Sequence, residues 1–281
     1  MGTPLAIIGG GNMARAILTR ARDRGLLDDG FIVADPNPER RKAFPNTVAT
    51  AAQAIEWLFD QEPDPGTGRI MLAIKPQVLP EVARELAPLV ATKNWGQTRP
   101  VISILAGATR RTIEAAFTDR VRVIRVMPNT PALVGRGMTA ISPAANSTDD
   151  DLTFARSLFE AVGRVIKIDE SQMDAFTAVG GSGPAYVFLL AQAMASAGEH
   201  AGLDPADALL TARETIAGAG LLLAESNDLP ETLKHRVTSK GGTTAAALAV
   251  LEQANFTDLM QQAIFAARDR GAELARMAET E

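Results

Sequence analysis

The sequence predicts an α/β domain with a parallel sheet, followed by an all-helical domain, with the boundary between residues 168 and 169. Short β-branched or apolar runs alternate with helix-like stretches through the first part of the chain, which is typical of βαβ units. Thirteen of the 16 prolines lie before residue 171, so long uninterrupted helices are expected after it. A length of 281 residues is sufficient for two domains of ordinary size.

The first part contains five predicted strands, each short and rich in apolar residues. They are Leu5–Ile8, Phe31–Ala34, Ile70–Ile74, Val101–Leu105 and Val121–Val126. The helix-like stretches between them are Asn12–Arg24, Pro38–Phe44, Ala51–Phe59, Val78–Val90 and Thr109–Phe117. Right-handed crossovers place such helices on both faces of a sheet. Asp60–Gly68 is acidic and rich in Pro and Gly, and we expect a solvated loop without an assigned function.

After about residue 170 the strand pattern stops. The segments that read as helices are Pro184–His200, Asp204–Glu225, Thr243–Ala254 and Phe256–Ala278. The stretch Ala217–Leu223 is apolar all round, and a helix of that kind must be buried. Because roughly 110 residues of helix have little interior of their own, we hypothesise a homodimer that interleaves these helices.

The composition excludes several kinds of chemistry. The absence of Cys excludes disulfides, thiol nucleophiles and Cys-based metal sites, and with only His200 and His235 we predict no metal site. A net charge of −5 argues against a broad nucleic-acid surface. No apolar stretch is long enough to span a membrane, and the N-terminus lacks the pattern of a secretory signal. We therefore expect a cytoplasmic protein without nucleic-acid or membrane partners.

A glycine-rich turn follows the first strand. Residues 9–14 read G-G-G-N-M-A, which is the G-x-G-x-x-A pattern between a strand and a helix. Gly9 permits the tight turn, and Gly11 permits close approach of a pyrophosphate. Asn12 and Met13 open the helix, whose free N–H groups favour phosphate. The pattern predicts a Rossmann-like dinucleotide-binding domain; the alternative is a glycine-rich turn without a ligand.

The residues after the second strand give conflicting signals about the coenzyme. Asp35 stands where an acidic residue usually binds the ribose 2′-hydroxyl and favours NAD. Asn37, Arg40 and Arg41 follow at once, and these are residues that can hold a 2′-phosphate. The alternative for the two arginines is a solvated helix face. On these residues alone the coenzyme preference stays open.

Two further turns follow predicted strands, where an open α/β sheet forms its ligand crevice. Lys75 and Pro76 form part of one turn, and Lys75 either approaches phosphate or ribose or is simply exposed. Asn129 and Thr130 lie between two prolines in the other, where their polar groups can point at a nicotinamide. All are candidate coenzyme contacts.

A polar, glycine-containing loop leads into an apolar helix in the second domain. It reads V-T-S-K-G-G-T-T over residues 237–244. Free N–H groups at that helix start can bind a carboxylate, and a Thr hydroxyl can donate to a substrate atom. The alternative is that Thr243 or Thr244 is merely the N-cap. The sequence Gly180–Pro184 before another helix likewise fits a simple helix start.

With these motifs, the sequence resembles the pyrroline-5-carboxylate reductases over nearly the whole chain. The shared motifs are Gly9–Met13 (G-x-G-N-M), Lys75-Pro76, Met127–Pro131, Gly137–Thr139 and Ser182–Tyr186. The longest runs from Val237 through Gly242, Thr244, Ala247 and Leu248 to Leu251 and Glu252.

The resemblance implies reduction of the cyclic imine 1-pyrroline-5-carboxylate to L-proline, the last step of proline biosynthesis. It implies NADP(H) as the coenzyme, with NAD(H) as the alternative, and a Rossmann-like domain followed by a helical dimerisation domain. It also implies homodimers, decamers built from five of them, and an active site to which helical-domain loops contribute, some from the partner subunit.

The resemblance also assigns roles in the 237–244 segment. Thr244 matches the Thr that is proposed to contact the imine nitrogen in this family. Ser239 and the N–H groups of Gly242 and Thr243 would hold the substrate carboxylate, with Val237 in the same substrate-binding segment. A protonated imine is already electrophilic, so its reduction needs orientation, a carboxylate anchor and a donor near nitrogen, and no metal, Cys or His.

The chain departs from the family at a few positions. Lys240 stands where the family commonly has Pro, and Gly180 or Gly181 where it has Ser.

One alternative function is that of a β-hydroxyacid-type dehydrogenase, which requires a Lys on a helix of the second domain. The only late lysines are Lys234 and Lys240. Another is a non-catalytic NAD(P)-binding sensor or scaffold.

Overall fold

The computed structural model describes residues 3–27 and 30–280, the last three of them without their side chains. Within this part the strands form a single sheet in the order β3-β2-β1-β4-β5-β6-β7-β8. Their bounds are β1 Leu5–Ile8, β2 Phe31–Ala34, β3 Thr47–Val48, β4 Arg69–Leu72, β5 Arg99–Ser103, β6 Val121–Met127, β7 Gly137–Pro143 and β8 Gly163–Lys167.

The α-helices α1–α12 follow in chain order. Their bounds are α1 Asn12–Asp23, α2 Pro38–Arg41, α3 Ala51–Gln61, α4 Leu79–Val90, α5 Arg110–Ala116, α6 Asp149–Glu160, α7 Met173–Phe176, α8 Gly183–His200, α9 Pro205–Glu225, α10 Pro230–Arg236, α11 Thr243–Gln253 and α12 Phe256–Thr280. A π-helical turn, Thr177–Gly181, lies between α7 and α8.

The strand order of the first six strands, 3-2-1-4-5-6, is the order of dinucleotide-binding α/β domains. All neighbouring strands are parallel except β6 and β7, which pair antiparallel. The prediction of an α/β domain followed by helices is confirmed. The strand order reverses between β1 and β4, so their carboxyl ends border the crevice where such sheets bind ligands.

Side chains from the two faces of the sheet enter two separate hydrophobic cores. In β1, Ala6 and Ile8 point to the core that contains α3, α4 and α5, whereas Leu5 and Ile7 point to the core that contains α1 and α6. This is the alternation of a strand covered on both faces. The prediction of helices on both faces is therefore confirmed.

Six of the nine residues of Asp60–Gly68 are exposed, as expected for a solvated loop, and Glu62 is the side chain that differs. The first two residues of the segment complete α3. The Glu62 side chain is 3% exposed and forms a two-pronged ion pair with the fully buried Arg99, with N–O distances of 2.8 and 2.9 Å. Glu62 also accepts the N–H of Gly68 at 2.7 Å. The sequence did not predict this ion pair, because the partner strand, 37 residues further on, was not apparent from the local composition.

The chain divides into two compact units, residues 1–181 with 267–281 and residues 182–266. The family model reported below begins at residue 170, so the domain boundary at 168/169 stays a prediction. In the second unit α8 packs against α9 through small residues, and Ala195, Ala208 and Ala212 are buried. Large apolar side chains of the same unit are exposed, for example Phe188 at 67% and Leu222 at 57%.

None of the helices in the described ranges has an apolar stretch long enough to cross a membrane. The cytoplasmic location stays a prediction.

Candidate active site

The glycine-rich turn connects β1 to α1 at the carboxyl edge of the sheet. Gly9 has φ +106°, a region that side-chain-bearing residues rarely adopt. A Cβ at this position would lie 2.5 Å from the carbonyl oxygen of Ala73, which follows β4. Only glycine allows this approach of the turn to the chain leaving β4, as the motif predicted.

The helix start that follows has the properties of a phosphate site. Gly11 is the N-cap of α1, and no side chain caps this helix. Within the described chain, the first-turn N–H groups of Asn12, Met13 and Ala14 have no hydrogen-bond acceptor. Apart from its chain neighbours, no heavy atom of the described residues lies within 4 Å of the position of a Cβ on Gly11, so the space beside this helix start is open. The turn therefore fits a bound pyrophosphate.

Asp35 follows β2 and lies beside this turn. Its carboxylate accepts the N–H of Gly10 at 2.9 Å and the N–H of Asn37 at 2.9 Å, and the residue is 2% exposed. Asn37 caps α2 by accepting the N–H of Glu39 at 2.8 Å. The side chain of Arg40 is 59% exposed, and its Nη1 lies 3.6 Å from Asp35 Oδ2. The structure thus brings all these predicted coenzyme residues to the carboxyl edge.

Lys75 and Pro76 follow β4 at the same edge. Lys75 is exposed, and its backbone starts a 3₁₀ turn, Pro76–Val78, in which Pro76 is the first residue. Because β4 is the neighbour of β1, both residues follow the strand next to the glycine-rich turn.

Asn129 follows β6 and is 8% exposed. Its amide Nδ2 donates to the carbonyl of Gly180 at 2.8 Å, and its Oδ1 accepts the N–H of Met138 at 2.9 Å. Both ends of the amide are therefore hydrogen-bonded within the protein, and through them Asn129 connects β7 and the π-helical turn to the end of β6. A direct coenzyme contact by this side chain stays a prediction.

The second set of predicted residues lies between α10 and α11. The chain leaves α10 with Thr238 Oγ1 donating to the carbonyl of Lys234 at 2.7 Å. It then turns at Gly241, whose φ is +71°. Ser239, Lys240 and Val237 are exposed on this turn.

The start of α11 excludes the simple alternative from the sequence. The N-cap is Gly242, and neither Thr243 nor Thr244 makes a side-chain capping bond. The N–H of Gly242 is donated to the carbonyl of Ser239 at 3.0 Å, so it is not the free donor that the resemblance implied. Among the described residues, the N–H groups of Thr243, Thr244 and Ala245 have no acceptor. This arrangement can receive a carboxylate.

The hydroxyl of Thr244 makes no hydrogen bond to any described residue, and the residue is half-buried, whereas Thr243 is exposed. No group of three or more His, Asp or Glu residues that could hold a metal occurs in the described ranges.

The sequence did not predict two backbone partners, Gly10 for Asp35 and Gly180 for Asn129. Neither partner has a local signal, because both pairs are far apart in the chain.

Comparison with known proteins agrees with this geometry. Residues 170–274 match the family model described as pyrroline-5-carboxylate reductase dimerisation, and residues 4–107 match the model described as NADP oxidoreductase coenzyme F420-dependent. The pyrroline-5-carboxylate reductase of Synechocystis sp. is 41% identical over 98% of this chain and 100% of its own length. This chain belongs to the pyrroline-5-carboxylate reductase family.

Other members extend the comparison. The pyrroline-5-carboxylate reductase of Haemophilus influenzae is 38% identical over 96% of this chain and 97% of its own. The solved structure of a pyrroline-5-carboxylate reductase from Coxiella burnetii has a TM-score of 0.84 at 32% identity and covers 97% of this chain and 98% of that one. A Plasmodium falciparum pyrroline carboxylate reductase, solved with NADP bound, shares the fold with a TM-score of 0.81 at 24% identity over 98% of both chains. The match of residues 170–274 to a dimerisation domain supports self-association of this chain.

Proposed function

We propose that this protein reduces 1-pyrroline-5-carboxylate to L-proline with NAD(P)H. The observation that carries the proposal is the start of α11, where three N–H groups and the hydroxyl of Thr244 occur together, all without a hydrogen-bond partner among the described residues. An anion receptor with an adjacent neutral donor suits a cyclic imine that bears a carboxylate. Membership of the family supports the same assignment.

The residues at the carboxyl edge of the sheet would hold the coenzyme. The glycine-rich turn, with Gly9, Gly11, Asn12 and Met13, offers its free N–H groups to the pyrophosphate. Lys75 and Pro76 lie after the neighbouring strand, where the exposed ammonium can approach phosphate or ribose. The coenzyme would supply the hydride that adds to the carbon of the C=N bond, which changes from CH to CH2.

The residues at α11 would bind and orient the imine. The N–H groups of Thr243, Thr244 and Ala245, together with the hydroxyl of Ser239, receive the substrate carboxylate. The Thr244 hydroxyl donates a hydrogen bond to the ring nitrogen and relays the proton that the nitrogen keeps as the amine. A Thr hydroxyl is a weak acid, so it positions and passes on a proton from solvent and does not supply it alone.

The exposed apolar side chains of residues 182–266 support a homodimer as the working state. Phe188, Leu189, Leu210, Leu222 and Val250 are all more than half exposed, and patches of this kind mark protein interfaces. Light scattering coupled to gel filtration should give twice the chain mass; a strict monomer would refute the dimer. The decamer implied by the resemblance stays a further prediction for the same measurement.

Steady-state kinetics test the activity. Wild-type protein should oxidise NADPH or NADH only when 1-pyrroline-5-carboxylate is present. Thr244→Ala should lower kcat by about 100-fold with an unchanged coenzyme Kd. The matched variant Thr244→Ser keeps the hydroxyl and should keep most of kcat.

Two results would overturn the proposal. Wild-type protein that shows no imine-dependent turnover with either coenzyme is not this reductase. Equal kcat in Thr244→Ala and wild type would remove Thr244 from the reaction and overturn the role proposed for its hydroxyl.

A further inference from the structure

Asp35 occupies the position after the second strand at which an acidic residue usually recognises the NAD ribose. Recognition of that kind requires carboxylate oxygens that are exposed to the ligand. In this chain the Asp35 side chain is 3% exposed. Its two oxygens accept the backbone N–H groups of Gly10 and Asn37, both at 2.9 Å.

The bond to Gly10 joins Asp35 to the middle of the glycine-rich turn. The turn is packed tightly at this point, since a Cβ on Gly10 would lie 3.0 Å from Phe44, 3.3 Å from Val33 and 3.4 Å from Asp35 Cβ. Gly9, the preceding residue, donates its N–H to the carbonyl of Ala34 at 2.8 Å. Two consecutive N–H groups of the turn are thus held by the end of β2, which leaves the next N–H groups directed at the open space before α1.

The basic residues after Asp35 are arranged differently. Arg41 donates to the carbonyl of Asp35 at 2.7 Å and is committed to the backbone. Arg40 is mostly exposed, and its Nη1 lies 3.6 Å from Asp35 Oδ2. Of the pair Asp35 and Arg40, the exposed charge is therefore the positive one, although the residue that follows the strand is acidic.

We propose that Asp35 is a positioning residue for the glycine-rich turn and does not select the coenzyme through its ribose. It acts through the N–H of Gly10, and its carboxylate is buried against the backbone N–H groups of Gly10 and Asn37. This inference rests on the coenzyme site of the proposed function. It predicts that Asp35 contributes equally to the binding of NADPH and NADH.

Direct binding to the coenzyme-free protein tests the inference, with coenzyme fluorescence as the readout. Asp35→Asn keeps the size of the side chain but leaves one acceptor oxygen for two N–H donors. The Kd values for NADPH and NADH should both rise, by about tenfold, and their ratio should stay within about twofold of wild type. A rise for NADH together with a fall for NADPH would overturn the inference, because it would show that the charge faces the ribose. Unchanged Kd values for both coenzymes would also overturn it.

The control Arg40→Gln removes the exposed charge and leaves the carboxylate with its two N–H donors. It should weaken NADPH and 2′,5′-ADP binding and leave NADH binding near the wild-type value. An equal effect on both coenzymes would show that Arg40 and Asp35 act as one unit, against the inference.

The wild-type protein provides a measurement that depends on no variant. NADPH should bind at least as tightly as NADH; NADH binding tenfold tighter would overturn the inference even if Asp35→Asn failed to fold. Wild-type protein that binds neither coenzyme would overturn the proposed function as a whole, which distinguishes that failure from a failure of the role of Asp35.

Discussion

Glu62 and Arg99 form an ion pair that is almost completely removed from water, with side-chain exposures of 3% and 0%. Glu62→Gln removes the negative charge and leaves the Arg99 guanidinium buried without a counter-charge. Arg99 keeps its bonds to the carbonyls of Gly68 at 3.0 Å and Asn94 at 2.9 Å. Breaking a buried pair in this way destabilises a protein by about 3–5 kcal/mol. For a unit of this size each kcal/mol lowers Tm by about 2–4 °C, so a fall of roughly 6–20 °C is expected.

Differential scanning calorimetry at pH 7 and at one fixed protein concentration measures this fall, since self-association makes Tm depend on concentration. Asp64→Asn is the matched control, because Asp64 is an exposed acidic residue in the same segment and its loss should leave Tm within about 1–2 °C of wild type. Adding Arg99→Met to Glu62→Gln should recover part of the loss, since no unpaired charge is then buried. A Tm for Glu62→Gln within 2 °C of the control would refute the reasoning.

Two further predictions concern the coenzyme turn and the dependence of stability on pH. Gly11→Ala should leave Tm near wild type because a Cβ there meets nothing, yet raise the NADPH Kd by about tenfold or more by filling the space before the α1 donors; a wild-type Kd would contradict the assignment. Gly9→Ala should lower both Tm and coenzyme affinity, since its Cβ would meet Ala73. Calorimetry distinguishes the two variants, because only Gly9→Ala should have a lower Tm than wild type. Burial alone would raise the pKa of Asp151, but hydrogen bonds from Arg122 and from the helix N-cap lower that pKa below its ordinary value. The ionised carboxylate therefore stabilises the folded state at any pH above its unfolded-state pKa. This contribution is lost as the pH falls through the folded-state pKa. At pH 7, Asp151→Asn should lower the free energy of unfolding by about 2 kcal/mol and Tm by roughly 4–8 °C. This loss of Tm should become smaller below about pH 5. A loss that stays constant down to pH 3 would exclude the ion pair as its cause.

The elements that the sequence did not predict show which signals were weak. β7 begins with Gly137 and ends with Pro143, both poor strand residues, and it is stabilised by antiparallel pairing with β6 and parallel pairing with β8. β3 has two residues, too few for a periodic pattern. By contrast, α6 begins with a capping box between Thr148 and Asp151, a pattern visible in the sequence.

The sequence by itself determined the fold class, the place of the glycine-rich turn and the position of a Thr-containing helix start in the second domain. These depend on local properties, namely the period of apolar residues, the φ that Gly9 must adopt and the residues that can begin a helix. Only the tertiary structure decided what each polar side chain does. Asp35 is bonded to Gly10, Asn129 to Gly180 and Glu62 to Arg99, at separations of 25, 51 and 37 residues. A hydrogen-bond partner is chosen by which backbone or side-chain groups the packed strands bring within about 3 Å, and spacing along the chain carries no information about that choice.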